Sequence, residues 1–570
     1  MNRSDFKSRF DQVRVLVLVL LLAAAAPTGG TEPVSPPPAI AALFRSLPMP
    51  PLEPGLQWGW DPTAYEPLAH PLLADFEWRH RELGKMNLPL LVRARLELEL
   101  AFLGAAQRLG PTDLRRLSKP DSMSSDERAH RARLAYAQLL ATAPTNGEYL
   151  TDEGDLLRFL GYPDSALASY RKAAVSPRVP ARLHSRLANA ELEQILANPV
   201  AGTERVFRER LADGERFFAA PAPADSQRAA RFHLERGKFR VDRAILEVRA
   251  DQALHPERWR SAGADSLFSL MARVVCPETR RAFQAAAERD TNLAEAHGLL
   301  GSIVTGQIFL PIAAEGLLMR REFASRDSLA AGLWRLLVRR RGQREGDAAY
   351  AAANLNRCEL LEPSRYPRTR AEQARLALLL DDLDGAAGLW RPLMVRDPDG
   401  IDDQVTELFT VHSLETAAGS PSNLPIAGRL ESAIAAAMTS NSGAVGAVNG
   451  SMLGWLGIFR GDLGRPDEAH RDLTRAAFID STDWRARLGL AVLALRDMNA
   501  PGAEPHLQYV GRNFGRLDDP ARGLYCGAVG LLYASRLDSV TARKWLSEAV
   551  RFDPLSPMLR EASRQVAGTP

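Results

Sequence analysis

A chain of 570 residues, 46% of them hydrophobic and 25% charged, has the composition of a folded protein, long enough for several globular domains or one repeat array. Its net charge is +3, with 66 arginines and six lysines nearly balanced by 69 acidic residues, which leaves no basic footprint of the kind nucleic-acid binders carry. Cys276, Cys358 and Cys526 lie far apart without a CxxC or Cys/His cluster, which argues against a metal or redox centre. In an exported chain Cys276 and Cys358 could pair; three packed thiols behaving as small apolar residues are the plainer expectation.

Residues 1–26 have the parts of a secretory signal or N-terminal anchor. Arg3, Lys7, Arg9 and Arg14 form a basic start, and Val15 to Ala26 an apolar run too short for the roughly 20 residues of a stable membrane-spanning helix. Cleavage just before Pro27 is unfavourable, so the cut falls slightly upstream or the segment is kept as an anchor. No cysteine follows for a lipid anchor. The proline-rich stretch 27–54 (Pro36-Pro37-Pro38, Pro48, Pro50-Pro51) reads as an extended linker.

Residues 55–280 read as an N-terminal helical region. Apolar stripes predict helices over Leu88–Leu103, 127–143 and 225–252, and again over 365–380 further on. Near 147–180, Gly154, Ala166, Tyr170 and Ala173 mark a degenerate pair of helices. Residues 281–400 continue in the same way: Phe283 and Ala286 close one unit, Leu300-Gly301 opens another, and Ala386, Trp390 and Pro398 suggest a further one. Gly298 to Leu318 is apolar enough to be mistaken for a membrane span. Pro311 and Glu315 inside it favour two buried helices. Arg335, Arg339, Arg340, Arg341 and Arg344 are the densest basic cluster. They are expected to end a helix Leu329–Arg341 before Gly342, where cations suit the negative end of the helix dipole; an anionic contact is the other reading. Asp397, Asp399, Asp402 and Asp403 form an acidic stretch without the alternating-oxygen pattern of a calcium loop, and read as a solvated turn.

Residues 401–449, rich in Ser, Asn, Thr and Gly, read as an irregular or helical break in the array. Gly443 to Gly450 has the glycines of a phosphate loop but not its lysine or preceding strand, so close helix packing is the better account. From 450 to 556 one spacing recurs three times. A small residue is followed by another twelve later and a third seven after that, with a large apolar residue three before the last. The sets are Gly457, Ala469, Leu473, Ala476; Ala491, Ala503, Leu507, Val510; and Gly530, Ala542, Leu546, Ala549. Only closely nested helices need small side chains at those intervals. Residues 557–570 make a C-terminal helix or tail.

This spacing resembles the tetratricopeptide repeat family over roughly a third of the chain. The resemblance implies an all-α helix-hairpin solenoid, a right-handed α-α superhelix, in an exported bacterial protein. It also implies that ligands lie along a concave face lined by the first helices. By repeat position that face carries Ser451, Gly454 and Ile458; Arg485, Leu488, Val492 and Arg496; and Leu524, Gly527 and Leu531. The Lys/Asn set with which some relatives clamp a C-terminal carboxylate is missing, so an amphipathic helix or an internal capping helix suits the face better than an acidic tail. The same positions would equally serve to pack one repeat on the next.

No HExxH, GxxxxGK[ST], GxSxG or Cys-His signature occurs, and the ten histidines are scattered singly; His297 reads as a packed, satisfied imidazole. The expectation is an exported, periplasmic or cell-surface scaffold for a protein or peptide partner. It has no catalysis, cofactor, metal or nucleic acid, and membrane contact only through an uncleaved N-terminus. An enzyme with its active domain in Trp58–Ala285 and the repeats as a recognition arm is one alternative, and a structural envelope tether another.

Overall fold

The computed structural model describes residues 36–56, 79–85, 87–106, 123–197, 203–255, 271–363, 366–396, 400–420, 424–441 and 450–568. Among these the regular structure is helical and no strand occurs. Contacts divide the chain into two compact units. One comprises Met1–Gln57, Glu315–Arg339 and Asp382–Pro570, the other Trp58–Ala314 and Arg340–Asp381. The signal or anchor segment 1–26, Pro398, Asp397, Asp399 and the glycines 443–449 lie outside the described residues.

In the second of these units α2 (Leu90–Ala106) packs on α3 (Ser125–Thr142), and α4 (Gly147–Phe159) on α5 (Pro163–Ala174). α6 (Leu183–Ala197), α7 (Thr203–Ala219) and α8 (Ser226–Leu254) come next along the chain, and α8 packs on α9 (Pro277–Arg289). The small-residue rule operates here: Gly154 faces the Tyr170 ring and Gly237 the Phe283 ring, where any side chain would overlap the aromatic. Prolines open α5 and α9 at positions whose N–H has no helical partner, and Asn146 caps α4 by accepting from the Glu148 and Tyr149 amides.

α10 (Ala294–Met319) is one helix through Pro311 where two were expected. By length and composition it could cross a membrane, but most of its apolar side chains are buried against protein. α11 (Arg326–Leu361) likewise corrects the expectation of a stop before Gly342. Leu329, Leu333 and Leu337, then Ala348, Ala351 and Leu355, hold one buried stripe through the two exposed glycines, and a glycine costs a helix only about 1 kcal/mol. Arg341 does cap a helix end, but not its own. It donates to the Leu379 carbonyl at the C-terminus of α12 (Pro367–Leu379) and pairs with Asp381 at 3.0 Å.

In the other unit α13 (Leu383–Arg396) packs on α14 (Ile401–Ala417) and α15 (Ile426–Asn441), and α15 on α16 (Gly450–Asp462). Of the two forms expected for this stretch, Ile401–Ala417 and Ile426–Asn441 take the helical one. Their hydroxyls are satisfied within the helices, Thr406 bonding the Asp402 carbonyl, Thr410 that of Thr406 and Ser413 that of Phe409. Ile401, Val405, Leu408, Val411 and Leu414 bury the opposite stripe.

Three pairs then stack: α16 with α17 (Pro466–Ile479), α18 (Trp484–Arg496) with α19 (Ala500–Arg512), and α20 (Asp519–Ser535) with α21 (Ser539–Phe552), closed by α22 (Pro557–Ala567). First helices touch first helices, α16 to α18 and α18 to α20. Ala469, Ala476, Ala491, Ala503, Ala542 and Ala549 are wholly buried. A methyl at Gly457 would lie 2.6 Å from Leu473 Cγ, and one at Gly530 2.8 Å from Leu546 Cγ. The turn between helices is also repeated: two residues past the end of a first helix, φ is positive at Gly161, Gly464, Met498 and Leu537. The fold is an all-α stack of tetratricopeptide-like helix pairs.

Candidate functional site

The extended linker expected over 27–54 is corrected for its described part, residues 36–54, which is packed on the protein; residues 27–35 lie outside the described residues. α1 (Pro38–Arg45) lies against α18 and α20, two first helices of the C-terminal stack, and the chain beyond it stays in contact with the same unit. Ile40, Leu43, Phe44, Leu47, Met49 and Leu56 are all buried. The reason is amphipathicity that proline content conceals. Apolar residues at 40, 43, 44 and 47 share one face, and Pro48, Pro50, Pro51 and Pro54 keep the C-terminal part of the segment extended.

The polar contacts are mainly to main chain. Arg496 Nε donates to the Leu47 carbonyl at 2.8 Å, and its Nη1 to the Gly461 carbonyl at 2.9 Å. The Met49 amide donates to Asp462 Oδ1 at 3.3 Å, Arg326 Nε to the Leu52 carbonyl at 3.0 Å, and the Gly55 amide to Thr410 Oγ1 at 3.3 Å. Met49 sits in a notch left by two glycines. A methyl at Gly461 would lie 2.8 Å from its Sδ, and one at Gly489 3.3 Å from its Cε. Glu53 pairs with Arg320 at 2.8 Å, while Arg326 is shared with the buried Asp553. Burial pushes the Glu53 carboxyl above its ordinary range, although Arg320 and Arg326 pull it down.

The ten residues assigned to this face divide. Arg496 meets the resident segment. Arg485 is engaged elsewhere: it pairs with Asp402 at 2.7 Å and lies over the Trp484 and Trp455 rings at 4.6 and 5.2 Å. Asp402, read as part of a solvated turn, also accepts from Trp455 Nε1 at 2.7 Å. Gly454 faces Asp483, the N-cap of the next first helix, and Gly527 faces Leu559 and Ala549; these two pack neighbouring elements together. Ile458, Leu488, Val492, Leu524 and Leu531 are buried on first helices, and Ser451 is half-buried at the start of α16. Sequence reasoning missed Gly461, Asp462, Gly489, Thr410, Arg320 and Arg326. None of the six carries a local signal for these contacts.

No family model matches this sequence, and no curated protein matches it. Solved structures do. The crystal structure of YrrB, described as a TPR protein with an unusual peptide-binding site, matches at 16% identity over 37% of this chain and 99% of that one, with a TM-score of 0.25. The APC/C hetero-tetramer Cut9–Hcn1 matches at 13% identity over 89% and 99%, TM-score 0.27, and yeast Tom70 at 10% over 87% and 95%, TM-score 0.25. These likenesses are remote. The repeat fold rests on the helix pairs themselves.

In the other unit, several charged groups of the described residues pair with one another. Asp152 accepts from Arg95 at 3.2 Å and from the Tyr136 hydroxyl at 3.1 Å, and also pairs with Arg182; Glu97 holds the buried Arg128 at 2.8 Å. Burial and the Asp152 charge push the Tyr136 hydroxyl well above its ordinary value. His297 has Asn354 Oδ1 at 2.9 Å and the Thr291 carbonyl at 3.2 Å, which fits a packed imidazole. Cys276 and Cys358 are both free thiols; Cys276 Sγ lies 3.2 Å from Thr279 Oγ1. No group of three or more His, Cys, Asp and Glu suited to a metal ion occurs among the described residues.

Proposed function

We propose that this chain is an exported repeat scaffold that holds a segment of a partner protein across the first helices α16, α18 and α20, without catalysis of its own. One observation carries the reading: those helices hold a stretch of polypeptide by its main chain, through Arg496 on Leu47 and Asp462 on Met49. A surface able to fix an extended segment by backbone bonds and an apolar notch has what peptide recognition requires. The basic, apolar and small-residue order of 1–26 supports export. The mutual pairing of charges around Asp152 supports a structural role for Trp58–Ala285 rather than an active domain.

The test places a photo-crosslinking amino acid at Ser451 of the full chain in its native cell. Cross-links to one segment of one envelope protein, lost on Arg496→Glu substitution, are expected. Cross-links to this chain alone would overturn the binding role. A chain that stays in the cytoplasmic fraction would overturn export.

A further inference from the structure

The surface proposed for a partner is already filled by residues 38–56 of the same chain. We propose that this segment is an intramolecular ligand that closes the surface, and that the partner is a segment of the same chemistry, admitted only when the resident leaves. That chemistry is specific: an apolar helical turn, a carbonyl for Arg496, an unbranched side chain for the notch between Gly461 and Gly489, and a proline-held extended stretch ending in a carboxylate. The inference rests on the binding role proposed for the first helices and adds its regulation and its ligand class.

Three features set the segment apart from the stack. α1 is eight residues long, below the length at which a helix holds itself together in water. It completes no pair, because α16, α18 and α20 each already pack on their own second helix. Four of its fixings are single hydrogen bonds between a side chain and the main chain, from Arg496, Asp462, Arg326 and Thr410, and any peptide could make them in its place. Proline is suited to such a ligand. It offers no N–H to leave unsatisfied at Pro48, Pro50, Pro51 and Pro54, and its fixed φ lowers the ordering cost of binding. The Gly461 notch is equally telling: the three atoms a methyl there would meet first, at 2.8 to 2.9 Å, all belong to Met49, so the glycine leaves room for the segment. Tethering gives a resident an effective concentration of millimolar order, so an outside segment making equal contacts competes poorly until the resident is weakened.

The experiment uses the full chain and a fluorescein-labelled synthetic peptide of residues 36–56, read by anisotropy. The wild type is expected to bind it at least tenfold more weakly than the Leu47→Asp, Met49→Asp variant, whose own segment cannot dock. Adding Gly461→Leu to that variant fills the methionine seat and returns binding to the wild-type level. Equal affinity of wild type and folded double variant would overturn the gate. Hydrogen exchange on the wild type provides a readout that needs no substitution. Amides of 38–47 are expected to exchange at least tenfold faster than those of α16 to α21, and equal protection would make the segment part of the stack and overturn the proposal. Dimers that form as the probe is excluded would give the surface to a second copy and also overturn it. A cross-linked partner that leaves 38–47 protected would keep the binding role and sink only the gate. Probe binding by the double variant without any cross-linked partner in the cell would do the reverse.

Discussion

Gly457→Ala tests the small-against-large rule that builds every pair. The new methyl would sit 2.6 and 2.9 Å from Leu473 Cγ and Cδ2 and 3.1 Å from the Ala469 carbonyl oxygen. Carbon atoms prefer roughly 3.5 to 4.0 Å, so Leu473 must leave its rotamer or the two helices must part. Such overpacking costs about 1–3 kcal/mol, against a gain of about 1 kcal/mol for alanine over glycine in a helix. The net is a loss of about 1 kcal/mol. Leu473→Ala empties a fully buried site and costs about 2–5 kcal/mol. In that background the Gly457 methyl meets nothing large, so the double variant should beat the sum of the singles by about 1–3 kcal/mol. Gly346→Ala is the control of opposite sign. It is an exposed helix-interior glycine of α11 with no atom within 4 Å of the added methyl, and should gain up to about 1 kcal/mol. Because the chain has two compact units, a single unfolding free energy is ill-defined, and amide exchange is the proper measure, in α16 and α17 for Gly457→Ala and in α11 for the Gly346→Ala control. About tenfold in exchange corresponds to 1.4 kcal/mol. Additivity of Gly457→Ala and Leu473→Ala within about 0.5 kcal/mol would refute the packing rule.

Single sites give further outcomes. Leu537 holds φ at +65° in the turn after α20 and is 75% exposed, so Leu537→Gly relieves left-handed strain without losing packing and should raise the exchange protection of α20 and α21 by about 0.5–1 kcal/mol; a loss would mean the side chain is needed. His184 lies among Phe217, Phe218 and Phe239, and burial lowers its pKa, with Asp213 opposing. A depressed histidine contributes stability above its unfolded value of about 6.5 that is lost as pH falls below it. The unit containing His184 should therefore weaken on acidification through that range, and His184→Phe should flatten the profile in circular-dichroism melts; an unchanged slope would contradict this. Cys358 is fully buried with its thiol pushed up to about 12, while Cys276 is half-buried, so iodoacetamide should label Cys276 first in the folded chain, as peptide mass mapping would show.

The helix pairs were legible because steric demands recur at fixed offsets. Gly154 to Tyr170, Gly457 to Leu473 and Gly530 to Leu546 are each sixteen residues apart, and each pair meets in space. Composition was a poorer guide. Serine and threonine in 401–441 suggested a break, yet their hydroxyls bond carbonyls four residues back and leave the apolar stripe to decide. Gly342 suggested a stop, but buried residues on both sides of it outweigh one glycine. The occupant of the first-helix face was illegible for a different reason. Leu47 and Met49 find their partners 449 and 413 residues away, and no local pattern encodes such a pairing.

The two cations predicted for that face bear on the ligand class proposed for it. A clamp for a chain-terminal carboxylate needs unspent positive charge. Arg485 is neutralised by Asp402 and covered by Trp455 and Trp484, and Arg496 donates to the Leu47 and Gly461 carbonyls and pairs with Asp462 at 3.7 Å. What remains is one carboxylate contact, Glu53 with Arg320 and Arg326, and it is largely buried, where salt screens little. Affinity of the freed surface for the 36–56 peptide should therefore come from burial of Phe44, Leu47 and Met49. It should change by less than about threefold between 50 and 500 mM NaCl, since exposed charge pairs lose their strength over that range whereas apolar burial does not. A fall of tenfold or more over that range would show that charge governs recognition, and the apolar, proline-spaced ligand class would have to be abandoned for an acidic one.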